Sequence, residues 1–270
     1  MNLVRSELLK IRTTSTWWLL GLGAFLATAL AFAFNAWYAH TVLSGHGEEV
    51  GVTGEQASAP SMAANLYTSG QFLGLMFVML IGILMVTNEF FHQTATTTFL
   101  TTPRRTSVIL GKLGAASLLG FGFWLATTVL DLLAGAAFLS LDGHGVQLGE
   151  WEVQRALLFN LLAYAIWTIL GVGIGTLIPN QLGAVITAAV LYLIGTQVVQ
   201  LLFFLLSNAL HNEGVLKWMV VWPATASQVM IGGEANQFLP AWWVGALVLA
   251  GYALVSGVAG VLITRRRDIA

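Results

Sequence analysis

Residues 88–112 read NEFFHQTATTTFLTTPRRTSVILGK, and the organisation of the whole chain can be worked out from this segment. It is a long polar interruption with clustered basic residues, and strongly apolar segments flank it on both sides. Threonines fill its centre, and Pro103, Arg104 and Arg105 follow most of them. Because both flanks have the composition of membrane-spanning helices, the segment is predicted to be a loop at a membrane surface.

The composition of the chain excludes an ordinary soluble domain. Apolar residues make up 57% of the 270 residues and charged residues only 9%, whereas a typical globular domain has about 25% charged residues. The mean hydropathy is +0.81. The absence of cysteine excludes disulfide bonds and thiolate metal sites. We therefore predict an all-α integral membrane protein.

Apolar runs of about 20 residues, the length that crosses a bilayer core, predict six transmembrane helices. The predicted spans are, approximately, residues 17–40, 67–87, 113–139, 156–178, 182–206 and 241–263. The apolar stretch 156–206 would be about 76 Å long as one helix, so a turn is predicted at Pro179-Asn180-Gln181. In the second span, Gly70-x-x-x-Gly74 predicts close helix packing.

Two segments outside the spans are also predicted to be helical. Residues 1–16 form an amphipathic pattern with Val4, Leu8 and Ile11 on one face, which is typical of a helix at the membrane interface. The alternative for this segment is the charged flank of a first span. Residues 207–239 are predicted to form short helices at or partly inside the outer surface. Residues 17–270 are then one six-span transmembrane domain.

The distribution of basic residues predicts the orientation. With both termini in the cytoplasm, nine of the 11 lysines and arginines lie on the inner side, and only Arg155 and Lys217 lie outside. The excess of inner lysine and arginine is the signal that orients membrane proteins. We therefore predict a multi-pass protein of the bacterial cytoplasmic membrane with both termini inside the cell.

The sequence contains no recognisable catalytic or cofactor motif. Residues 106–113 come nearest to a phosphate-binding loop, but Thr106 stands where its first glycine belongs and Leu113 where its hydroxyl residue belongs. Histidines and carboxylates are not spaced as metal ligands on any predicted span. We predict no catalytic residue, no metal site, no cofactor on this chain and no nucleic-acid partner.

A few polar or aromatic residues inside the spans are candidates for lining a transport pathway. Asp131 is a carboxylate within the third span, where a charge costs about 2.5–3.5 kcal/mol on insertion scales. It could line a pathway or bind a cationic group; the alternative is protonation or pairing with Arg155. The other candidates, which equally suit packing between helices, are Trp124, Trp167, Gln197 and Gln200.

Two motifs carry a resemblance to a known family. Residues 6–14 read SELLKIRTT before a tryptophan-rich span, and the polar loop contains NEFFHQT and TFLTTPRR. Together they resemble the permease subunits of type-2 ABC exporters in the style of actinobacteria. A Glu-aromatic-Arg-x-x-Thr pattern is usual in that family. Here Phe91 stands in the arginine position, so the neighbouring charge expected for Glu89 is missing.

The resemblance implies how such a permease works. A separate ABC subunit binds ATP and Mg²⁺ and docks on a coupling helix in the loop between the second and third spans. It also implies an N-terminal elbow helix, outer re-entrant helices before the last span, and a second permease copy in a homodimer or heterodimer. Surrounding membrane lipid is the remaining partner. The loop residues assigned to coupling are Glu89, His92, Thr94, Thr102, Pro103, Arg104 and Arg105.

These expectations define the predicted function and its competitors. The chain is expected to be the transmembrane permease subunit of an ATP-driven exporter of an amphipathic or apolar compound, such as a drug, an antibiotic or a lipid-like molecule. The alternative is an ion-gradient-driven carrier or a channel subunit, and a membrane-embedded enzyme is third. For Arg104 and Arg105 in particular, the alternative to docking is attraction to anionic lipid.

Overall fold

The computed structural model describes residues 2–14, 16–52, 54–94, 98, 105–232 and 239–266. Within these residues the regular structure is entirely helical, as predicted. Six segments are long and apolar enough to cross a membrane, which confirms the predicted number of spans. They are Trp17–Val50, Ala59–Phe91, Thr106–Leu141, Trp151–Leu177, Gln181–Leu210 and Trp242–Thr264.

The α-helices are numbered here in chain order. They are α1 (Asn2–Arg12), α2 (Thr16–Thr41), α3 (Ala59–Tyr67), α4 (Gln71–Phe91), α5 (Arg105–Leu141), α6 (Trp151–Leu177), α7 (Gln181–Val190), α8 (Thr196–Leu210), α9 (Pro223–Gly232) and α10 (Trp242–Arg266). A π-helical turn, Leu191–Gly195, joins α7 to α8, so these two helices form one long span. Short π and 3₁₀ turns follow α2, and a 3₁₀ helix, Glu213–Val221, precedes α9.

Helices α4 and α6 form the centre of the bundle, and their spans are the most buried of the six. Glycines bring them together. A methyl group at Gly171 of α6 would overlap with the carbonyl of Met79, and one at Gly82 of α4 would overlap with the carbonyl of Thr168. Since these obstacles are backbone atoms, the two helices can lie this close only if both positions lack a side chain. The remaining spans pack around this pair.

The second span is interrupted, which the sequence did not predict. Helix α3 ends at Tyr67 and α4 begins at Gln71, so the predicted span of about 67–87 has a break in its first turn. The hydroxyls of Thr68 and Ser69 bond back to the carbonyls of Ala64 and Leu66, each at 2.8 Å. These bonds compete with the backbone hydrogen bonds that would continue the helix.

The predicted glycine pair of the second span does mediate close packing. A methyl group at Gly70 would overlap with the side chain of Thr28 on α2, and one at Gly74 would overlap with the hydroxyl of Tyr164 on α6. The break therefore lies at the point where the second span packs against α2 and α6.

Two further predictions of local structure are confirmed. Helix α6 ends at Leu177 and α7 begins at Gln181, as expected for a turn at residues 179–181; the side chain of Asn180 accepts the N–H of Gly183 at 2.8 Å. Within 207–239, the described residues form short helices instead of a seventh span.

Candidate functional site

Four charged residues from three helices meet at the end of the bundle where the chain leaves α4 and enters α5. Lys112 of α5 contacts Glu7 of α1 at 2.7 Å and Glu89 of α4 at 2.9 Å. Lys10 of α1 contacts the same two carboxylates at 2.7 and 2.5 Å. We call Glu7, Lys10, Glu89 and Lys112 the charge cluster. It contains two anions and two cations, so its formal charge is zero.

Lys112 lies at the centre of the charge cluster. Its side chain is almost fully buried, at 2% exposure. Lys112 donates hydrogen bonds to Glu7 and to the carbonyl of Met85 at 2.9 Å, and it forms an ion pair with Glu89 at 2.9 Å. A buried charge that is both paired and fully hydrogen-bonded is tolerated, whereas one that loses a partner is strongly destabilising.

Lys10 lies on the side of the charge cluster that faces solvent. Its side chain is half-exposed, and burial alone would lower its pKa. The hydrogen bonds to Glu7 and Glu89 outweigh burial, so the pKa of Lys10 is raised above its ordinary value of 10.5. Because a raised lysine pKa favours the charged form, Lys10 stays protonated at neutral pH and the cluster stays balanced.

The apolar face of α1 explains why its carboxylate reaches the other helices. Val4, Leu8 and Ile11 pack on a buried group that includes Ala115 and Ala116 of α5. This confirms the shared face predicted from their spacing. Glu7 lies within the same face and is buried beneath the helix, so packing of α1 and pairing of Glu7 occur together.

Glycines on α5 allow this close contact. A Cβ added at Gly111 would lie 3.0 Å from the Cβ of Leu3, and one added at Gly114 would lie 3.3 Å from Val4. Larger residues at these positions would push α1 away from α5. The exposed face of α1 carries Arg5, Leu9 and Arg12.

The charge cluster corrects the expectation that Glu89 lacks a neighbouring charge. Phe91, in the position where arginine is usual, is 69% exposed, and its ring is nearly perpendicular to the His92 ring with 5.0 Å between the ring centres. The positive charges come from Lys10, which lies 79 residues away along the chain, and from Lys112. The short motif around Glu89 contains neither lysine, so motif comparison could not identify them.

The described residues of the loop form hydrogen bonds with Glu89 and with its neighbour Asn88. The N–H of Thr94 donates to the Glu89 carbonyl at 2.9 Å, and the hydroxyl of Thr98 lies 3.4 Å from a carboxylate oxygen of Glu89. The N–H of His92 donates to the carbonyl of Asn88 at 2.9 Å. Thr102, Pro103 and Arg104 lie outside the described residues, as does the side chain of Arg105, whose backbone begins α5.

A cavity of about 230 Å³ lies beside the charge cluster, between α1 and the end of α4. Its polar walls include Lys10, Thr13, Thr14, Asn88, His92 and Thr94. Three of the predicted coupling residues, Glu89, His92 and Thr94, line this one cavity. These three residues are close in sequence, so they are expected to lie near one another. The structure adds that all three face the same cavity.

Asp131, the predicted buried carboxylate of the third span, has a partner that the sequence did not suggest. It is 3% exposed, and it accepts the backbone N–H of Gly70 at 3.4 Å. Gly70 is the residue that precedes α4, so the carboxylate lies at the partly positive N-terminal end of that helix. Asp131 forms no ion pair with Arg155 in the described structure, so that pairing is wrong.

The other pathway candidates are dispersed over the bundle. Trp167 is buried, donates to the hydroxyl of Ser227 at 2.7 Å and packs on the ring of Tyr192. Gln200 hydrogen-bonds to Gln228 at 3.4 Å. Gln197 is exposed on α8. The indole N–H of Trp124 has no hydrogen-bond partner among the described residues.

Comparison with known families gives a match that covers more than half of the chain. Residues 3–196 match the family described as ABC-2 family transporter protein. The match extends from α1 to the first residue of α8 and includes all four residues of the charge cluster. No curated protein matches the chain significantly.

Proposed function

The chain belongs to the ABC-2 transporter family, and from this premise we propose that it is a permease subunit driven by a separate ATP-binding subunit. The observation that carries the proposal is the charge cluster, which joins α1, α4 and α5 at the end of the bundle where the loop between α4 and α5 begins and ends. ATP and Mg²⁺ would bind to the partner subunit, and this chain would supply the docking surface.

The charge cluster connects the proposed docking loop to the spans. The loop continues from α4 two residues beyond Glu89, and it enters α5 seven residues before Lys112. A force applied to the loop therefore acts on both helices at the point where Glu7 holds α1 against them. Because the paired charges are buried, separating them would be costly, so α1, α4 and α5 are expected to move together.

The docking surface consists of the loop and the cavity beside it. His92 and Thr94 line the cavity and are exposed, so a side chain of the ATP-binding subunit can reach them. Thr102, Pro103, Arg104 and Arg105 complete the proposed surface. The two arginines suit a groove with acidic residues, since guanidinium groups pair with carboxylates through two hydrogen bonds.

The closed centre of the bundle supports a second permease copy. Helices α4 and α6 contact each other through glycines and leave no passage between them. A cargo path at the surface of one copy would need a second copy to enclose it. Homodimer and heterodimer both satisfy this requirement. We propose that α1, the loop and the C-terminal end of α10 face the cytoplasm of a bacterial cell, because the basic residues of the sequence are concentrated there.

The proposed cargo is an amphipathic or apolar compound, exported from the cell. Among the described residues, Asp131 is the carboxylate that lies deep within a span, and it already accepts the backbone N–H of Gly70. This carboxylate is therefore already used and is not free to bind a cationic cargo. Large exposed apolar side chains are abundant on α2 and α8, which suits movement of an apolar group along the bundle surface.

The decisive experiment tests the docking loop. The permease is expressed with an ATP-binding subunit from the same genome, and Arg104 and Arg105 are both replaced by glutamate. We expect loss of co-purification and of cargo-stimulated ATP hydrolysis, while the permease itself remains folded. The matched control is Lys217→Glu in the exposed 3₁₀ helix outside the docking surface, which should retain both activities.

Two outcomes would contradict the proposal. Full ATPase stimulation in the double arginine variant would exclude the loop as the docking site. Transport in liposomes by the permease alone, driven by a proton or sodium gradient without ATP, would favour the gradient-driven carrier instead.

A further inference from the structure

An elongated groove separates α2 from α5 on the outside of the bundle. Its volume is about 340 Å³, and its walls are almost entirely apolar. Phe25, Leu118 and Leu130 at its edges are exposed, so the groove opens toward the surrounding bilayer. The residues that define its floor and walls include Trp17, Gly21, Phe25, Leu118, Gly122 and Leu130.

Glycine creates the empty space in this groove. A Cβ added at Gly122 of α5 would meet no atom within 4 Å, and one added at Gly21 of α2 would touch only the ring of Phe123, at 3.8 Å. The glycines of the α4–α6 contact differ, because backbone atoms of the partner helix fill the space there. The space at Gly122 is therefore available to a molecule that is not part of the chain.

The length of the groove matches one leaflet of a bilayer. Its wall on α5 extends from Leu118 to Leu130, which is about 18 Å along the helix. Half of a hydrocarbon core is about 15 Å thick. The groove begins at Trp17, near the start of α2 at the α1 end of the bundle, and its α5 wall continues past the middle of that span to Leu130. Tryptophan at this position is typical of the membrane interface.

Positive charge lies at that same end. Arg5 and Arg12 are on the exposed face of α1, on either side of the exposed Leu9. Neither arginine forms an ion pair with a described carboxylate, whereas Lys10 and Lys112 are both used in the charge cluster. Arg12 and Trp17 are separated by five residues, which limits the distance between their backbones to about 18 Å.

We propose that the groove between α2 and α5 binds one acyl chain of an anionic phospholipid, and that the exposed arginines of α1 bind its phosphate. Arg12 is the principal ligand and Arg5 the second. The guanidinium groups match phosphate in charge and in hydrogen-bonding geometry. The apolar groove, about 18 Å long on α5, is long enough to accept one acyl chain. This site shares no named residue with the proposed ATPase docking surface, and it does not depend on the nature of the cargo.

The test measures lipid binding to the purified full chain by native mass spectrometry. Phosphatidylglycerol and phosphatidylcholine with the same acyl chains are the two probes. Gly122→Leu fills the groove, and Ala126→Leu fills it from a second position. The matched control is Gly251→Leu on α10, where an added Cβ likewise meets nothing within 4 Å. Thermal unfolding confirms that each variant is folded.

We expect wild type to retain one phosphatidylglycerol molecule more tightly than the rest. Both groove-filling variants should bind it about tenfold more weakly, the loss expected when roughly two buried methylene groups are displaced. Gly251→Leu should bind like wild type. Replacing Arg5 and Arg12 by glutamine should abolish the preference for phosphatidylglycerol over phosphatidylcholine, because it should lower the affinity for the anionic lipid more than that for the zwitterionic one.

Three results would overturn the proposal. The first is wild-type lipid retention in both groove-filling variants. The second is an equal affinity of the wild type for the two lipids. The third is a loss of self-association in Gly122→Leu with lipid retention unchanged, which would make the groove an interface between two copies of the chain.

Discussion

Lys112 and Asp131 lie 19 residues apart on α5, and their partners near the two ends of α4, Glu89 and Gly70, are separated by the same 19 residues. Each separation is about 28 Å along a helix. Since the two helices run in opposite directions, α4 is held to α5 near both of its ends, by an ion pair at one end and a backbone N–H bond at the other. The two helices should therefore move as one unit.

Replacement of Lys112 by methionine tests the first of these contacts. The apolar side chain keeps most of the volume but leaves Glu7 and Glu89 with only the half-exposed Lys10. We expect a loss of about 3–5 kcal/mol in stability, the usual cost of breaking a buried ion pair from one side. Thermal unfolding in detergent measures it. Lys217→Met, at an exposed position, is the control, and an unchanged melting temperature for Lys112→Met would refute the cluster's role.

Two substitutions of Asp131 separate its hydrogen bond from its charge. Asparagine retains an oxygen that can accept the N–H of Gly70, so Asp131→Asn should preserve both stability and transport. Leucine leaves that buried N–H without an acceptor, which should cost about 1–3 kcal/mol. Both variants are compared by thermal unfolding and by transport in liposomes. Loss of transport in a stable Asp131→Asn protein would assign the carboxylate to the transport pathway.

The contact between α4 and α6 should tolerate no added methyl group. Gly171→Ala forces a side chain against the Met79 carbonyl, and overpacking of this kind costs about 1–3 kcal/mol or more, because a backbone atom cannot move aside. We expect a lower melting temperature and lower yield of folded protein. Gly257→Ala on α10, where an added Cβ would meet no atom within 4 Å, should leave the stability unchanged. Equal stability of the two variants would mean that the helices are not in close contact.

Phe91→Arg restores the charge pattern usual in the family. Because Lys10 and Lys112 already neutralise Glu7 and Glu89, an exposed arginine should change the stability by no more than about 0.5 kcal/mol. Urea or thermal unfolding can detect a larger effect. Stabilisation by more than about 1 kcal/mol would show that the cluster lacks positive charge as it stands.

The helices could be predicted from sequence because their signal is local. Runs of apolar residues revealed the six spans, and Pro179-Asn180-Gln181 revealed the turn between α6 and α7. The break at residues 68–70 was missed because Thr68 and Ser69 are polar but small, and they lower the hydropathy of the segment only slightly. Their hydroxyl bonds to the end of α3 become evident only in the folded chain.

The partners of Glu89 and Asp131 could not be predicted for a different reason. Both contacts join helices that are distant in sequence, and they depend on the rotation of each helix about its axis. Lys10 and Lys112 were counted only as charges that orient the chain in the membrane. The burial of Lys112 follows from the small residues of α5 that admit α1, namely Gly111, Gly114, Ala115 and Ala116.

The separation of Glu7 from Lys112 also has a consequence for biosynthesis. These residues are 105 positions apart, so at about 5–20 residues per second Glu7 is made roughly 5–20 seconds before its buried partner. Lys10 is one helical turn away and can pair with Glu7 throughout this interval. The nascent α1 can thus remain folded at the membrane surface, with its carboxylate neutralised locally, until α5 emerges from the ribosome.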